Sequence, residues 1–481
     1  MAYLTLTAGL ILPWITGIVY LNYIESFFIG KARNNRLRQA GYGFFLGYAI
    51  LYAVVLANAT LTDQVSYLAV MVLMALLAGA GGLLMYFGRQ PAQGLTKPVF
   101  SSLSKYSRAE KVLLLVLVLW ITVHLVFAAV EILTTPVYPW DAWLVWVYRA
   151  KVWFYSGNIV DLASAQEWIS SSDPAIYTTA GHDYPKFASV IPFWAAISLG
   201  SWSETLINIP VLLCGIAMGM ALYGQCRAYG LGALGALIFC YFLFSTPIFA
   251  THLALAGYAD IWMAGFAGLG FMAMIHGLIV EDRMQLALGL VMVALGMLVK
   301  NEGVVWFFAA VLLLLGATVR PRNPLMILGV IAITALTAVA FGTGYIEIPL
   351  IGDPGVVDNR FSIPFVGTFS FELHNVWREY LLNFFAMGSW HLIWTLVLAG
   401  LVRAAIAPFG KAKRVAALFM LIFIATQVFI FVFTDQGNWA ARYTALNRLP
   451  LQFLPALLFS VAVITGAFLA KNGFDNEAVN E

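Results

Sequence analysis

The chain is poor in the residues on which most soluble catalysts are built. Of its 481 residues only 10% are Asp, Glu, Lys or Arg, and it has six His and three Cys. Cys214, Cys226 and Cys240 fall in or beside apolar runs without metal-site spacing, and read as small buried hydrophobes. The lack of His and Cys clusters argues against a zinc or haem centre. There is no P-loop and no Gly-x-Ser-x-Gly elbow. A net charge of +3, with no basic run interleaved with aromatics, leaves no footprint for nucleic acid.

What is present is apolar: 62% hydrophobic residues and a mean hydropathy of +0.87. That balance would precipitate a soluble chain, so the fold class is an all-α polytopic membrane protein. Apolar stretches near 3–23, 42–60, 65–87, 110–131, 205–225, 231–250, 258–280, 285–299, 303–319, 324–345, 388–407, 412–434 and 449–470 predict about thirteen transmembrane helices. The first lacks a basic flank and a small-residue cleavage site, which reads as a retained span. No repeat shows at the scale of 20–50 residues.

Basic residues orient the chain. Lys31, Arg33, Arg36 and Arg38 lie between the first two spans, and Arg89, Lys97, Lys105, Arg108 and Lys111 between the third and fourth. Both loops are expected to be cytoplasmic, with the N-terminus and loop 133–203 external. If segment 186–200 crossed the membrane, Arg283, Arg320, Arg322, Lys411, Lys413 and Arg414 would become external. At fifteen residues it is also short for roughly 30 Å of hydrocarbon. It is therefore expected to stay outside, as a juxtamembrane or re-entrant helix.

Charges beside a bilayer are costly and usually functional. Asp141 opens an aromatic stretch, Trp140-Asp-Ala-Trp143, that continues through Trp146 and Trp153 and carries Arg149 and Lys151. A helix N-cap on an interfacial helix explains Asp141 blandly; an acid beside two cations also suits activation of a hydroxyl next to a phosphate. His182-Asp-Tyr-Pro185 closes the same loop, with Pro185 expected in the first turn of the next helix. Asp260 begins an apolar span, either as a cap or as a second acid that orients an acceptor hydroxyl or, with Asp141, holds a divalent ion. Lys300 and Glu302 link two short spans, and Arg448 opens the last one; either cation is a span-end anchor or a phosphate ligand. Loop 346–387 holds Asp353, Asp358, Arg360, His374 and Arg378 and predicts an interfacial helix near 374–386.

In order and sidedness these elements resemble the GT-C superfamily of integral membrane glycosyltransferases, in particular bacterial relatives of the protein O-mannosyltransferases and lipid A aminoarabinose transferases. The matching residues are Trp140-Asp-Ala-Trp143 with Arg149-Ala-Lys151, His182-Asp-Tyr-Pro185, Tyr258-Ala-Asp260, Lys300-Asn-Glu-Gly303 and Asn447-Arg-Leu-Pro450. The resemblance covers 110–470, so 1–109 reads as an N-terminal three-span addition and 471–481 as a cytoplasmic tail. Where many members carry paired acids, this chain has Asp141 followed by Ala142.

The resemblance implies a sugar moved from a polyprenyl-phosphate donor to a hydroxyl of a glycan, lipid or protein. The setting it implies is the periplasmic or extracellular face of a bacterial inner (plasma) membrane. By it, Asp141 is the general base, and Arg149, Lys151, Lys300 and Arg448 bind the donor phosphate. Trp143, His182, Asp183, Tyr184, Asp260 and Glu302 contact substrate or acceptor, and any divalent cation (Mg or Mn) falls to Asp141 and Asp260. The rivals are a secondary transporter, which calls for repeats and mid-membrane charges, a multispan oligosaccharide polymerase or ligase, and a structural membrane subunit.

Overall fold

The computed structural model describes residues 1–29, 35–87, 106–318, 355–357, 360–363, 367–406 and 410–469. It is overwhelmingly helical. Among the described residues, seven helices are long and apolar enough to cross a membrane: Ala2–Phe27, Arg36–Leu61, Tyr67–Phe87, Arg108–Thr134, Leu206–Tyr229, Ala259–Val280 and Lys411–Phe433. An eighth results if Ala233–Ser245 and Pro247–Ala254, bent by 63° at Thr246, form one broken span. Pro247 cannot donate to the preceding turn, which accounts for the break.

Four other expected spans appear as shorter apolar helices. Arg283–Gly296 has 14 residues, about 21 Å at 1.5 Å per residue. Glu302–Thr318, Ile393–Ile406 and Leu454–Leu469 have 17, 14 and 16 residues, each followed directly by residues outside the described ones. The expected span at 324–345 and the tail at 471–481 lie outside the described residues.

Local signals set many of the helix ends. Ser107 and Glu110 form a capping box at Arg108–Thr134, and Asp282 accepts from the backbone N–H groups of Met284 and Gln285. Segment 186–200 forms Phe187–Leu199, thirteen residues that are almost entirely buried and end at Gly200 with φ 76°. Its Trp194 donates from Nε1 to the Gly9 carbonyl at 2.9 Å, docking it on the first helix. Pro185 precedes this helix instead of opening it.

Ala259–Val280 is the central helix: 89% of its apolar window is buried, against 11% for Arg108–Thr134. The latter's exposed Leu, Val and Phe residues suit a lipid-facing periphery. Helices approach closely through small residues. A Cβ on Gly47 would lie 1.9 Å from the Pro13 carbonyl oxygen, and one on Gly289 2.5 Å from that of Gly270. One hydrophobic core runs from Leu21 and Tyr42 through the central helix to Ile464, so the first two helices pack into the same body as the rest.

Among the described residues, a small sheet departs from the all-helical pattern. Gly355–Val357, Arg360–Ile363 and Gly367–Ser370 form a three-stranded antiparallel meander, with Val357 opposite Arg360 and Ile363 opposite Gly367. The helix expected near 374–386 appears as Trp377–Leu381 followed by a π-helical turn, Leu382–Ala386. Asp353 and Asp358 lie outside the described residues.

Candidate functional site

Four chain segments bring their charged residues together where helices begin or end. Asp260 is the second residue of the central helix, and Lys300 and Glu302 join two short helices. Arg448 opens the turn Arg448–Leu451, and Asp141 follows the loop after Arg108–Thr134.

Asp260 is the hub. Its Oδ1 accepts from Lys300 Nζ at 3.1 Å and Gln452 Nε2 at 2.9 Å. Its Oδ2 accepts from Arg448 Nε at 3.0 Å and Nη2 at 2.6 Å. A carboxylate has about four acceptor positions, and these four donors fill them. The hub is fully buried. Asp260 was expected to face an acceptor hydroxyl or to hold a divalent ion with Asp141. With every acceptor position taken and the carboxylate shut from solvent, it does neither in this arrangement; it anchors two cations. Among the described residues, no three His, Cys, Asp or Glu side chains gather into a metal-binding group.

The network continues outward on both sides. Arg448 Nη1 contacts Asp141 Oδ2 at 2.5 Å, and Lys300 Nζ contacts Glu302 Oε1 at 2.9 Å. Asp141 has helical backbone angles and makes no cap hydrogen bond; its side chain is committed to Arg448 instead. The Arg448 guanidinium carbon lies 4.9 Å from the Tyr258 ring centroid, and the His252 ring is 5.0 Å beyond. Burial opposes the charges on Arg448 and Lys300. The carboxylates outweigh it, Asp260 first in both cases with Asp141 or Glu302 beside it, and raise both pKa values.

Two cations expected at the phosphate are turned elsewhere. Arg149 is buried, and its Nη1 donates to the carbonyls of Tyr184 at 2.9 Å and Gly181 at 3.3 Å. Its charge faces the Trp153 ring at 5.3 Å, and burial pushes its pKa down to about 10. It therefore pins the 181–185 loop from beneath. Lys151 pairs with Glu204 at 2.9 Å and overlies Trp202. Residues two apart on a helix point to nearly opposite faces, so Arg149 and Lys151 cannot serve one site together.

The remaining residues surround the network loosely. Trp143 is exposed and lies 6.3 Å from Trp140, ring to ring, beside Asp141. Tyr184 packs on Trp146 at 5.1 Å, and its hydroxyl pKa is raised first by burial and then by Glu302. His182 and Asp183 are exposed on the loop that Arg149 holds.

Two partners were not singled out from sequence. Trp306 Nε1 donates to Gln452 Oε1 at 2.6 Å, and Gln452 in turn holds Asp260. The signal was there to find: Gln452 follows Arg448 by four residues and Trp306 follows Glu302 by four, one helical turn in each case.

The arrangement can hold an anion at a guanidinium edge next to a partly exposed carboxylate. No protein-family model, curated protein or solved structure matches the chain.

Proposed function

We propose that this multi-pass membrane protein is a glycosyltransferase of the GT-C kind. It moves a sugar from a polyprenyl-phosphate donor to an acceptor hydroxyl at the outer face of a bacterial inner membrane. The observation that carries the reading is the single network joining Asp141, Arg448, Asp260 and Lys300, residues far apart in the chain. A lipid donor keeps its phosphate near the headgroup plane, so the cations serving it belong at helix ends. The network's residues stand at helix starts and turns, which favours this reading over a transporter with charges at mid-span. The thirteen-span, N-out orientation belongs to the same proposal, since it alone keeps the loop basic residues cytoplasmic.

The chemistry is one displacement. The acceptor oxygen attacks the anomeric carbon while Asp141 takes its proton. The bond from that carbon to the phosphate oxygen breaks, and the electron pair leaves with polyprenyl phosphate. Charge grows on the phosphate as the bond breaks, so pre-placed Arg448 and Lys300 stabilise the transition state more than the bound donor. Asp260 and Gln452 hold those cations in place. Exposed Trp140 and Trp143 offer flat faces for a sugar beside the base.

The test is transfer of radiolabelled sugar from a polyprenyl-phosphate donor by purified protein. Wild type is expected to transfer, and Asp141→Asn to lose transfer by about a hundredfold or more. Near-normal turnover in the variant removes Asp141 from the mechanism.

A further inference from the structure

We propose that Asp141 and the donor's phosphate compete for one edge of the Arg448 guanidinium, so that arrival of the donor frees the base. This rests on the glycosyl-transfer reading above and adds its regulation.

The argument is one of committed groups. Arg448 turns Nε and Nη2 to Asp260, which is buried and filled by four donors, so that edge cannot be released cheaply. Lys300 is 7% exposed and is flanked by Asp260 and Glu302. Three carboxylates (Asp141, Asp260, Glu302) face two cations (Lys300, Arg448), leaving the network net negative. A phosphate is repelled unless one carboxylate gives way.

Asp141 is the one placed to do so. Its side chain is 33% exposed, against 26% for Glu302 and none for Asp260. The side it holds on Arg448, Nη1, is also the one not turned to the hub. Guanidinium edges bind phosphate oxygens well, and a phosphate at Nη1 takes the place of the carboxylate. While Arg448 holds it, the Asp141 carboxylate oxygen is engaged; released, that oxygen is free to receive the acceptor's proton. The donor thus switches on the group that consumes it, and by linkage removing the carboxylate must strengthen donor binding. Affinity is lowered by the fraction of Arg448 already occupied. Loss of a partly exposed ion pair then corresponds to roughly fivefold tighter binding.

The experiment measures binding of a short-chain polyprenyl phosphate, and separately of inorganic phosphate, to the purified full chain. Wild type, Asp141→Asn, Glu302→Gln, Arg448→Lys and the Asp141→Asn/Arg448→Lys double variant are compared. Asp141→Asn is expected to bind the lipid phosphate about fivefold tighter, with the gain abolished in the Arg448→Lys background. The same gain with inorganic phosphate assigns the competition to the headgroup alone; a gain confined to the lipid shows that the chain must also seat. Unchanged or weaker binding by Asp141→Asn overturns the proposal. So does a gain that survives in the Arg448→Lys background, which signals through-space charge, or a gain found only in Glu302→Gln, which puts the phosphate at Lys300.

A second measurement does not depend on the Arg448 variants folding. The infrared carboxylate band that vanishes in Asp141→Asn should shift when phosphate is added to wild type, and an unmoved band refutes the exchange. Sugar transfer is assayed on the same wild-type preparation. Competition without transfer leaves this proposal standing and sinks the transferase reading, and transfer without competition does the reverse.

Discussion

Replacing Asp260 with Asn separates the work of the two carboxylates. Asp260 is fully buried and takes four hydrogen bonds, three of them from cations. Asn keeps one acceptor oxygen and turns an amide N–H₂ toward either Arg448 or Lys300, leaving a cation without its buried partner. Breaking a buried pair from one side costs about 3–5 kcal/mol. Unfolding entropy is roughly 2 cal/mol/K per residue, or about 1 kcal/mol/K for 481 residues. The thermal midpoint should therefore fall by about 3–5 °C. Asp141→Asn removes one contact at a partly exposed rim, worth about 0–1 kcal/mol, and should move the midpoint by no more than about 1 °C. Both variants would be melted in the same detergent, following the intrinsic fluorescence of the chain's 15 tryptophans. Equal midpoints would refute the assignment of Asp260 as buried anchor and Asp141 as accessible base.

Two further outcomes follow from the geometry around the network. Arg149→Gln should speed amide hydrogen exchange across 177–186 by about tenfold or more, because it removes charge-assisted hydrogen bonds worth about 1.5–3 kcal/mol to the loop carbonyls. It should leave phosphate binding within about twofold, and a large loss of affinity would restore Arg149 to the phosphate site. Trp140→Cys places a thiol at an exposed position beside Asp141, while the three native cysteines are buried and give little background. A membrane-impermeant maleimide should label it in intact cells, and labelling only after lysis contradicts the outward-facing orientation.

The positions of Asp141, Asp260, Lys300, Glu302 and Arg448 were legible because charge is scarce here and each falls at the edge of an apolar run. Their division of labour was not. Asp260 read as a substrate-facing acid, since nothing local says that a residue at a helix start is enclosed by helices from 188 and 192 residues later. Arg149 and Lys151 read as one cationic pair because spacing along a chain hides direction around a helix axis. The strands Gly355–Val357, Arg360–Ile363 and Gly367–Ser370 are not legible in the sequence because each is three or four residues long, too short for alternation to stand out.

Composition and the lengths of the apolar runs were enough to establish a helical membrane protein and to mark the helix ends where its charges would lie. Those properties are local, set by hydrophobicity and by 1.5 Å of rise per residue. Which donor meets which carboxylate depended on how the helices pack about Ala259–Val280. Packing determined that Asp260 is filled by four donors while Asp141 is held by one, because long-range burial, unlike helix formation, is not encoded in any single stretch of chain.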